Sequence, residues 1–204
     1  MKGKYSFSCG LTAEKAAALA QGIQFLRENE EKLKALGLLH ARIYTQEIEG
    51  TEYAFQFYML NEDCNADKLF DFLRANTDLL NGWKMNRHVY EFKLHSGDCY
   101  DHLKSQGIII GVRDGKLDEY IRLHDEQPQI IHDLCYQNGF RKSSIFVTDL
   151  HKPYLLQFQD FNGKEDPALY ENETYIEWLR VTGECQQPLA GETFWKPMKE
   201  TIVF

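Results

Sequence analysis

The pentapeptide Tyr154-Leu-Leu-Gln-Phe158 has a counterpart in the first half of the chain, Tyr53-Ala-Phe-Gln-Phe57. Both are rich in aromatic and aliphatic residues, which is typical of β-strands. Each follows a second strand-like segment, Arg42-Ile-Tyr-Thr45 before the first copy and Ser144-Ile-Phe-Val147 before the second. The chain therefore contains an internal repeat.

The same order of elements, β-α-β-β-α-β, is predicted in both halves. Each long first helix ends at a glycine, as helices commonly do. The segments that define the order are the strands at 5–9 and 108–112, the first helices at 12–36 and 116–138 with Gly37 and Gly139 after them, and the last strands at 88–94 and 200–204.

This order is that of a ferredoxin-like unit, in which helices cover one face of an antiparallel sheet. The uncovered face of each sheet needs a partner, and two tandem copies can supply it to each other. We therefore expect an α+β fold in which two ferredoxin-like units form an intramolecular dimeric α+β barrel. The predicted domains are residues 1–95 and 107–204, with a polar linker at 95–106.

Composition narrows the classes of partner. The chain has 204 residues, 43% of them hydrophobic and 13% aromatic, which is typical of a folded globular protein. Its formal net charge of -8 argues against nucleic acid and anionic membranes as partners. A small neutral molecule stays open as a ligand, and so does a homodimer of the tandem chain.

Five widely spaced cysteines form no C-x-x-C pair, which predicts free thiols in a reducing compartment. The first residues contain no apolar region of the signal-peptide type, so we expect a cytoplasmic protein. Histidines and carboxylates show no metal-binding spacing, and no glycine-rich phosphate loop is present. We therefore expect a site without metal or cofactor.

The segment Asp118-Glu-Tyr-Ile-Arg-Leu-His-Asp-Glu-Gln-Pro128 reads as an amphipathic helix. Tyr120 and His124 are four residues apart and share one face of it. The pair fits ordinary packing, and it also fits acid–base chemistry, because imidazole exchanges protons near neutral pH and a phenol can hydrogen-bond it or a substrate.

Two further groups fit either packing or sugar binding. Trp178 and Trp195 can fill a core or stack on the apolar face of a sugar ring. Gln157 and Gln159 alternate with Leu156 and Phe158, so the two glutamines share one face of a strand. If the apolar pair packs under the helices, the glutamines face the interior of the barrel, where they suit a polyhydroxy ligand.

Taken together, several segments of the second half resemble the L-rhamnose mutarotase family from Gly107 to Phe204. They occur in the family's order and spacing, and they are GVRDGKLDEYIRLH, GFRKSSIF, NETYIEWL, CQQPL and FWKPMKETIVF. The resemblance implies a cofactor-free isomerase that interconverts the α and β anomers of a 6-deoxy sugar such as L-rhamnose.

By the same resemblance, His124 and Tyr120 are the catalytic pair, and Trp178 is a sugar contact. A second family tryptophan maps onto Leu179, and Ser143 stands where the family often has a tyrosine that lines the sugar pocket. We also expect Trp195 and Gln157 to contact the substrate.

A second departure follows His124. The family usually has Ile-Trp-Pro there, whereas this chain has Gln127-Pro128-Gln129. The tryptophan is therefore missing, and the proline comes one residue early.

At the same offset, the first repeat has Ala18 in place of Tyr120 and Gly22 in place of His124, so we expect it to be a non-catalytic partner. Two other functions stay open. The changed pocket is compatible with a protein that binds a sugar or effector without catalysis. By analogy of fold, an oxidative enzyme is also compatible, because haem-degrading and cofactor-free monooxygenases use ferredoxin-like barrels.

Overall fold

The computed structural model describes residues 3–92, 103–162 and 167–204. They form two compact units. The first comprises the described residues of Met1–Arg87, Thr148–Leu150 and Met198–Phe204, and the second those of His88–Val147 and His151–Pro197. Each unit has its own sheet and its own helices, which confirms the predicted α+β class.

The first unit follows the predicted order up to its third helix, except that the single helix predicted at 12–36 is two helices that meet at Asn29. Its elements are β1 (Lys4–Gly10), α1 (Ala13–Glu28), α2 (Glu30–Ala35), β2 (Leu38–Ile48), β3 (Thr51–Leu60), α3 (Ala66–Asn76) and the short β4 (Lys84–Met85). Thr12 caps α1 through a hydrogen bond from the Lys15 backbone N–H, as expected of an N-cap threonine. Gly37 ends the helical segment with a φ of 98°.

The second unit repeats this order. Its elements are β5 (Arg87–Phe92), β6 (Lys104–Val112), α4 (Leu117–Asp125), α5 (Gln129–Gln137), β7 (Phe140–Val147), β8 (Tyr154–Phe161), a 3-10 turn (Pro167–Glu171), α6 (Glu173–Gly183), β9 (Gln186–Gln187) and β10 (Lys196–Pro197). The last strand of the chain is β11 (Lys199–Ile202).

The last strand of each predicted repeat joins the other unit, which differs from the prediction. The sheet orders are β11-β2-β3-β1-β4 and β10-β6-β8-β7-β5. The strand predicted at 88–94 therefore extends the second sheet as β5, and the strand predicted at 200–204 extends the first as β11. The place beside β1, where a ferredoxin-like unit has its fourth strand, holds the short β4, and the place beside β6 holds the short β9 and β10.

The order of elements could not predict this exchange of strands. The order of elements along the chain does not specify which edge a strand joins, because pairing is set by contacts between distant residues. The compact units therefore differ from the predicted ranges 1–95 and 107–204 at both ends. Most of the predicted linker, 95–102, lies outside the described residues, and so does Cys99.

The predicted helix at 116–138 is two helices, because Pro128 interrupts it. Proline has no backbone N–H to donate, and it disfavours a helical conformation in the residue before it. Pro128 has φ −59° and ψ 137° and stands as the N-cap of α5. Pro128 thus marks the start of a new helix, and Gln127 lies in the connection between α4 and α5.

The two sheets have the same register around their central strands, which supports the repeat at the level of single residues. Gln56 on β3 and Gln157 on β8 occupy equivalent positions, each between an apolar residue of the first strand and an isoleucine of the second. The two rows are Phe7–Gln56–Ile43 and Ile108–Gln157–Ile145.

The next row of cross-strand neighbours differs between the two units. In the first sheet it reads Tyr5–Tyr58–Ala41, and in the second Gln106–Gln159–Ser143. Tyr58 and Ala41 are completely buried in the core of the first unit. The equivalent row of the second unit consists of amide and hydroxyl side chains.

The first unit also closes the space under its first helix. Gly22, the counterpart of His124, lies so close to Leu79 that an added Cβ would come within 2.2 Å of the leucine Cδ1. Leu79 is itself fully buried in the same core. Leucine and tyrosine side chains thus fill the space that a catalytic pair would need.

A substitution at Gly111 on β6 tests the close packing of β9 against this strand. A Cβ at this position would lie 2.7 Å from the backbone oxygen of Gln187 on β9, which cannot move without disturbing the pairing. We expect Gly111→Ala to lower the free energy of unfolding by about 1–3 kcal/mol in urea denaturation. The control is Gly183→Ala, because nothing lies within 4 Å of a Cβ at Gly183. Equal stability of the two variants would contradict the packing described for β9.

Candidate active site

A cavity of about 310 Å³ lies within the second unit, between the sheet and the helices α4 and α6. The structure brings every predicted site residue to its lining. These residues are Tyr120, His124, Ser143, Gln157, Trp178 and Trp195. Their placement in one cavity is an observation, whereas their catalytic and binding roles stay predictions.

The imidazole of His124 has a defined tautomer. Its Nδ1 lies 3.1 Å from the backbone oxygen of Tyr120, one turn earlier on α4. A carbonyl oxygen can only accept a hydrogen bond, so Nδ1 carries the proton. In the neutral ring Nε2 is then the basic nitrogen.

Three aromatic rings from three elements surround this imidazole. The ring centroids lie 4.3 Å away for Tyr120 on α4, 5.0 Å for Tyr90 on β5 and 5.2 Å for Trp178 on α6. The last two are edge-to-face contacts. Burial among these rings lowers the pKa of His124 to about 4, against the opposing effects of the Tyr120 carbonyl and of Asp125. The imidazole is therefore neutral at physiological pH, and the lone pair of its Nε2 is free to accept a hydrogen bond or a proton.

Tyr120 contributes differently from the prediction. Its backbone carbonyl, not its phenol, accepts the hydrogen bond from His124, and Tyr120 also lines the cavity. Burial raises the pKa of Tyr120 well above its usual range, so the phenol stays protonated. A protonated phenol can donate a hydrogen bond to a ligand but cannot act as a base near neutral pH.

The glutamines lie on the opposite face of the sheet from the one predicted. Gln157 and Gln159 face the helices and line the cavity, whereas Leu156 and Phe158 occupy the other face. Alternation shows which residues share a face but not which face the helices cover. Here the helix-covered face contains a cavity, and polar side chains are placed in it.

These polar side chains form a connected group on the sheet. The Gln157 amide donates to the Ser143 Oγ at 2.9 Å and to the Gln159 Oε1 at 3.0 Å. Gln106 is the cross-strand neighbour of Gln159 and also lines the cavity. The sheet side of the cavity therefore offers amide and hydroxyl groups that can donate or accept hydrogen bonds.

The two predicted tryptophans lie at different places on the wall. Trp178 is on α6 beside His124, and Leu179 follows it along the lining. Trp195 lies just before β10, which pairs with β6. Both tryptophans are partly buried and line the cavity.

Sequence reasoning missed several lining residues. Tyr90 comes from the first half of the chain, and only the exchange of β5 brings it here. Gln186 belongs to the segment Cys185-Gln-Gln-Pro-Leu189, which the family resemblance could have indicated. Asn138 gave no signal. Its Nδ2 donates to the Leu134 backbone oxygen, while its Oδ1 is buried without a hydrogen-bond partner among the described residues.

The lining is uncharged. Among the described residues that form it, none is a lysine, arginine, aspartate or glutamate. The ionisable side chains are tyrosines, Cys135 and His124. Burial raises the pKa of Cys135 to about 12, so its thiol is neutral as well. A charged ligand would find no opposite charge here, whereas a neutral polar ligand finds hydrogen-bonding groups and aromatic rings.

Within 3–92, 103–162 and 167–204, no group of three or more histidine, cysteine, aspartate or glutamate side chains is arranged to hold a metal ion. No helix in these ranges is long and apolar enough to cross a membrane.

Solved structures resemble the chain over its full length. A protein from Fusobacterium nucleatum subsp. nucleatum, provisionally titled a monooxygenase, is 8% identical with a TM-score of 0.53, and the match covers 100% of this chain and 94% of that one. A similarly titled protein from Lactobacillus acidophilus is 11% identical with a TM-score of 0.50, over 100% and 95% of the two chains. At such low identity the likeness concerns the fold alone.

Comparison of sequences adds the family. A search of curated proteins found no match. The sequence model of the L-rhamnose mutarotase family matches residues 106–203, which carry His124, Tyr120 and most of the cavity lining. This match confirms the predicted resemblance of the second half of the chain to the L-rhamnose mutarotase family.

Proposed function

We propose that the second unit interconverts the α and β anomers of a neutral 6-deoxy sugar such as L-rhamnose, with His124 as the proton acceptor. The observation that carries the proposal is a neutral imidazole of fixed tautomer in a cavity with an uncharged, hydrogen-bonding lining. The match to the mutarotase family supports the same reaction. The first unit, whose equivalent space is filled, is proposed to be non-catalytic.

The cavity suits a monosaccharide on three counts. Its lining has no charge that would favour a phosphorylated or acidic sugar. The amides around Gln157 and the hydroxyl of Ser143 can pair with sugar hydroxyls, which would otherwise be costly to bury. Trp178 and Trp195 offer flat apolar surfaces for the C–H groups of the ring.

The chemistry needs one proton acceptor and one proton donor. In ring opening, the O1 proton passes to Nε2 of His124, the O1 lone pair forms the C1 carbonyl, and the C1–O5 bond breaks. The ring oxygen takes that electron pair together with a proton from a hydroxyl donor, for which the protonated phenol of Tyr120 is our candidate. Rotation about C1–C2 presents the other face of the aldehyde. Reclosure reverses both transfers, so that the imidazolium returns its proton to O1.

The first test replaces the base. His124→Gln keeps a polar side chain of similar size, and we expect it to slow anomer exchange of L-rhamnose by about 10²- to 10⁴-fold, the usual contribution of a positioned acid or base. Saturation-difference proton NMR on equilibrated sugar measures the exchange directly. His151→Gln is the matched control, because His151 lies in the same unit but outside the cavity lining.

Two results would contradict the proposal. One is full activity of the His124→Gln variant. The other is a wild-type protein that binds L-rhamnose without accelerating exchange, which would favour a binding protein instead. Methyl α-L-rhamnoside, which has no free O1–H, should bind and compete but should not exchange.

The second test uses pH. Because the pKa of His124 is lowered to about 4, we expect its NMR titration midpoint near that value and an exchange rate that falls as the pH drops through it. Between about pH 5.5 and 8 the enzymatic rate should be flat. In the unfolded chain a histidine titrates near 6.5, so unfolding takes up a proton between these values, and the protein should lose stability as the pH falls from about 6.5 to 4. A midpoint near 6.5 in the folded protein, assigned by its absence from His124→Gln, would contradict the described burial.

A further inference from the structure

Tyr90 and Gln127 form a contact that the proposed reaction does not use. The phenol of Tyr90 on β5 donates to the Oε1 of Gln127 at 2.6 Å. Gln127 lies two residues beyond the last residue of α4, in the connection to α5. The bond therefore joins an edge strand of the sheet to the end of the helix that carries His124.

The same tyrosine contacts the imidazole. Its ring meets His124 edge-to-face, with the centroids 5.0 Å apart. Tyr120 and Trp178 provide the other two rings around His124, so Tyr90 supplies the one that comes from a strand. Without it, the side of the imidazole that faces β5 would be open to whatever fills the cavity.

We propose that Tyr90 is a positioning residue of this site, and that its hydrogen bond to Gln127 fixes the end of α4 against β5 and keeps the tyrosine ring on the imidazole of His124. The part of the inference that concerns reaction rate rests on the proposed mutarotase function. The part that concerns the surroundings of His124 does not.

The conformation of the connection supports this role. The residue before a proline avoids the helical conformation, so Pro128 forces the chain to leave the helix at Gln127. Had α4 continued without a break into α5, residue 127 would lie on the helix and not in the connection. In the connection, the Oε1 of Gln127 accepts the hydrogen bond from the Tyr90 phenol.

The protonation states of the groups around Tyr90 are compatible with a permanent hydrogen bond to Gln127. Burial raises the pKa of Tyr90 well above its usual range, so the phenol remains a donor throughout the working pH range. Gln127 is a neutral acceptor and introduces no charge beside the imidazole. The titratable groups around His124 are the phenols of Tyr90 and Tyr120 and the carboxylate of Asp125 on its own helix, while Trp178 on α6 adds none.

The experiment uses the full chain with Tyr90→Phe, Tyr90→Ala and Gln127→Leu, alone and in the double variant Tyr90→Phe/Gln127→Leu. Two quantities are measured for each: kcat and KM for anomer exchange of L-rhamnose, and the NMR titration midpoint of His124. Tyr136→Phe is the control, because Tyr136 is a tyrosine of the same unit that lies outside the cavity lining.

We expect Tyr90→Phe and Gln127→Leu each to lower kcat by about fivefold with little change in KM, as the loss of one net hydrogen bond would. The double variant should be no slower than the slower single variant, because both remove the same bond. Tyr90→Ala also removes the ring. Its His124 midpoint should therefore move up toward the ordinary value of about 6.5, a change that a general loss of stability would not produce.

Two results would overturn the proposal: an unchanged His124 midpoint in Tyr90→Ala, or rate losses that add up in the double variant. Failure of the proposed function looks different. If the wild-type protein does not exchange anomers, the mutarotase assignment falls, while the titration of Tyr90→Ala still decides whether Tyr90 covers His124.

Discussion

The central strand of each sheet carries a glutamine, Gln56 buried in the first unit and Gln157 half-buried in the second. Such an amide has to be hydrogen-bonded, because an unpaired amide removed from water costs free energy comparable to a lost hydrogen bond. The two units meet this requirement in different ways. Gln56 donates to the Leu79 backbone oxygen at 2.6 Å and accepts from the Tyr58 phenol. The amide is thereby enclosed by a loop and a tyrosine. Gln157 is paired with the side chains of Ser143 and Gln159 instead, and these partners leave the space above them open.

The difference between a filled core and a cavity comes from few positions on a shared scaffold. Where the first sheet has a row of Tyr5, Tyr58 and Ala41, the second has two glutamines and a serine. Leu79 packs against Gly22 in the first unit, whereas the second unit has His124 at the matching position of its helix. Register and element order are the same in both, so the scaffold itself does not require the tyrosine and the histidine. Packing alone is therefore a poor account of that pair.

Local features of the sequence were sufficient to predict much of the fold. The repeated order and the glycines that end the helical segments follow from patterns of a few residues. The placement of His124 and Trp178 in one site followed from the family resemblance and not from such patterns. The helix break at Pro128 could also have been predicted, because proline restricts the residue before it. The covered face of Gln157 could not, since alternation is symmetric between the two faces. A cavity makes the helix-covered face polar, which is the opposite of the usual pattern.

The exchange of edge strands could not be predicted from local patterns either. It also alters which segments of the chain together form the candidate site. The family match begins at residue 106, after Tyr90, and ends at 203, beyond β11. Yet Tyr90 lines the cavity of the second unit, while Glu200 on β11 is paired with Arg42 and Tyr44 in the first. The matched segment is therefore not a structural unit: it lacks a strand that contacts His124 and contains one that belongs to another sheet. Because the first half of the chain supplies β5, it contributes to the candidate site even though its own equivalent space is filled. A repeat without counterparts of Tyr120 and His124 can thus still contribute to the candidate site through the strand that it provides.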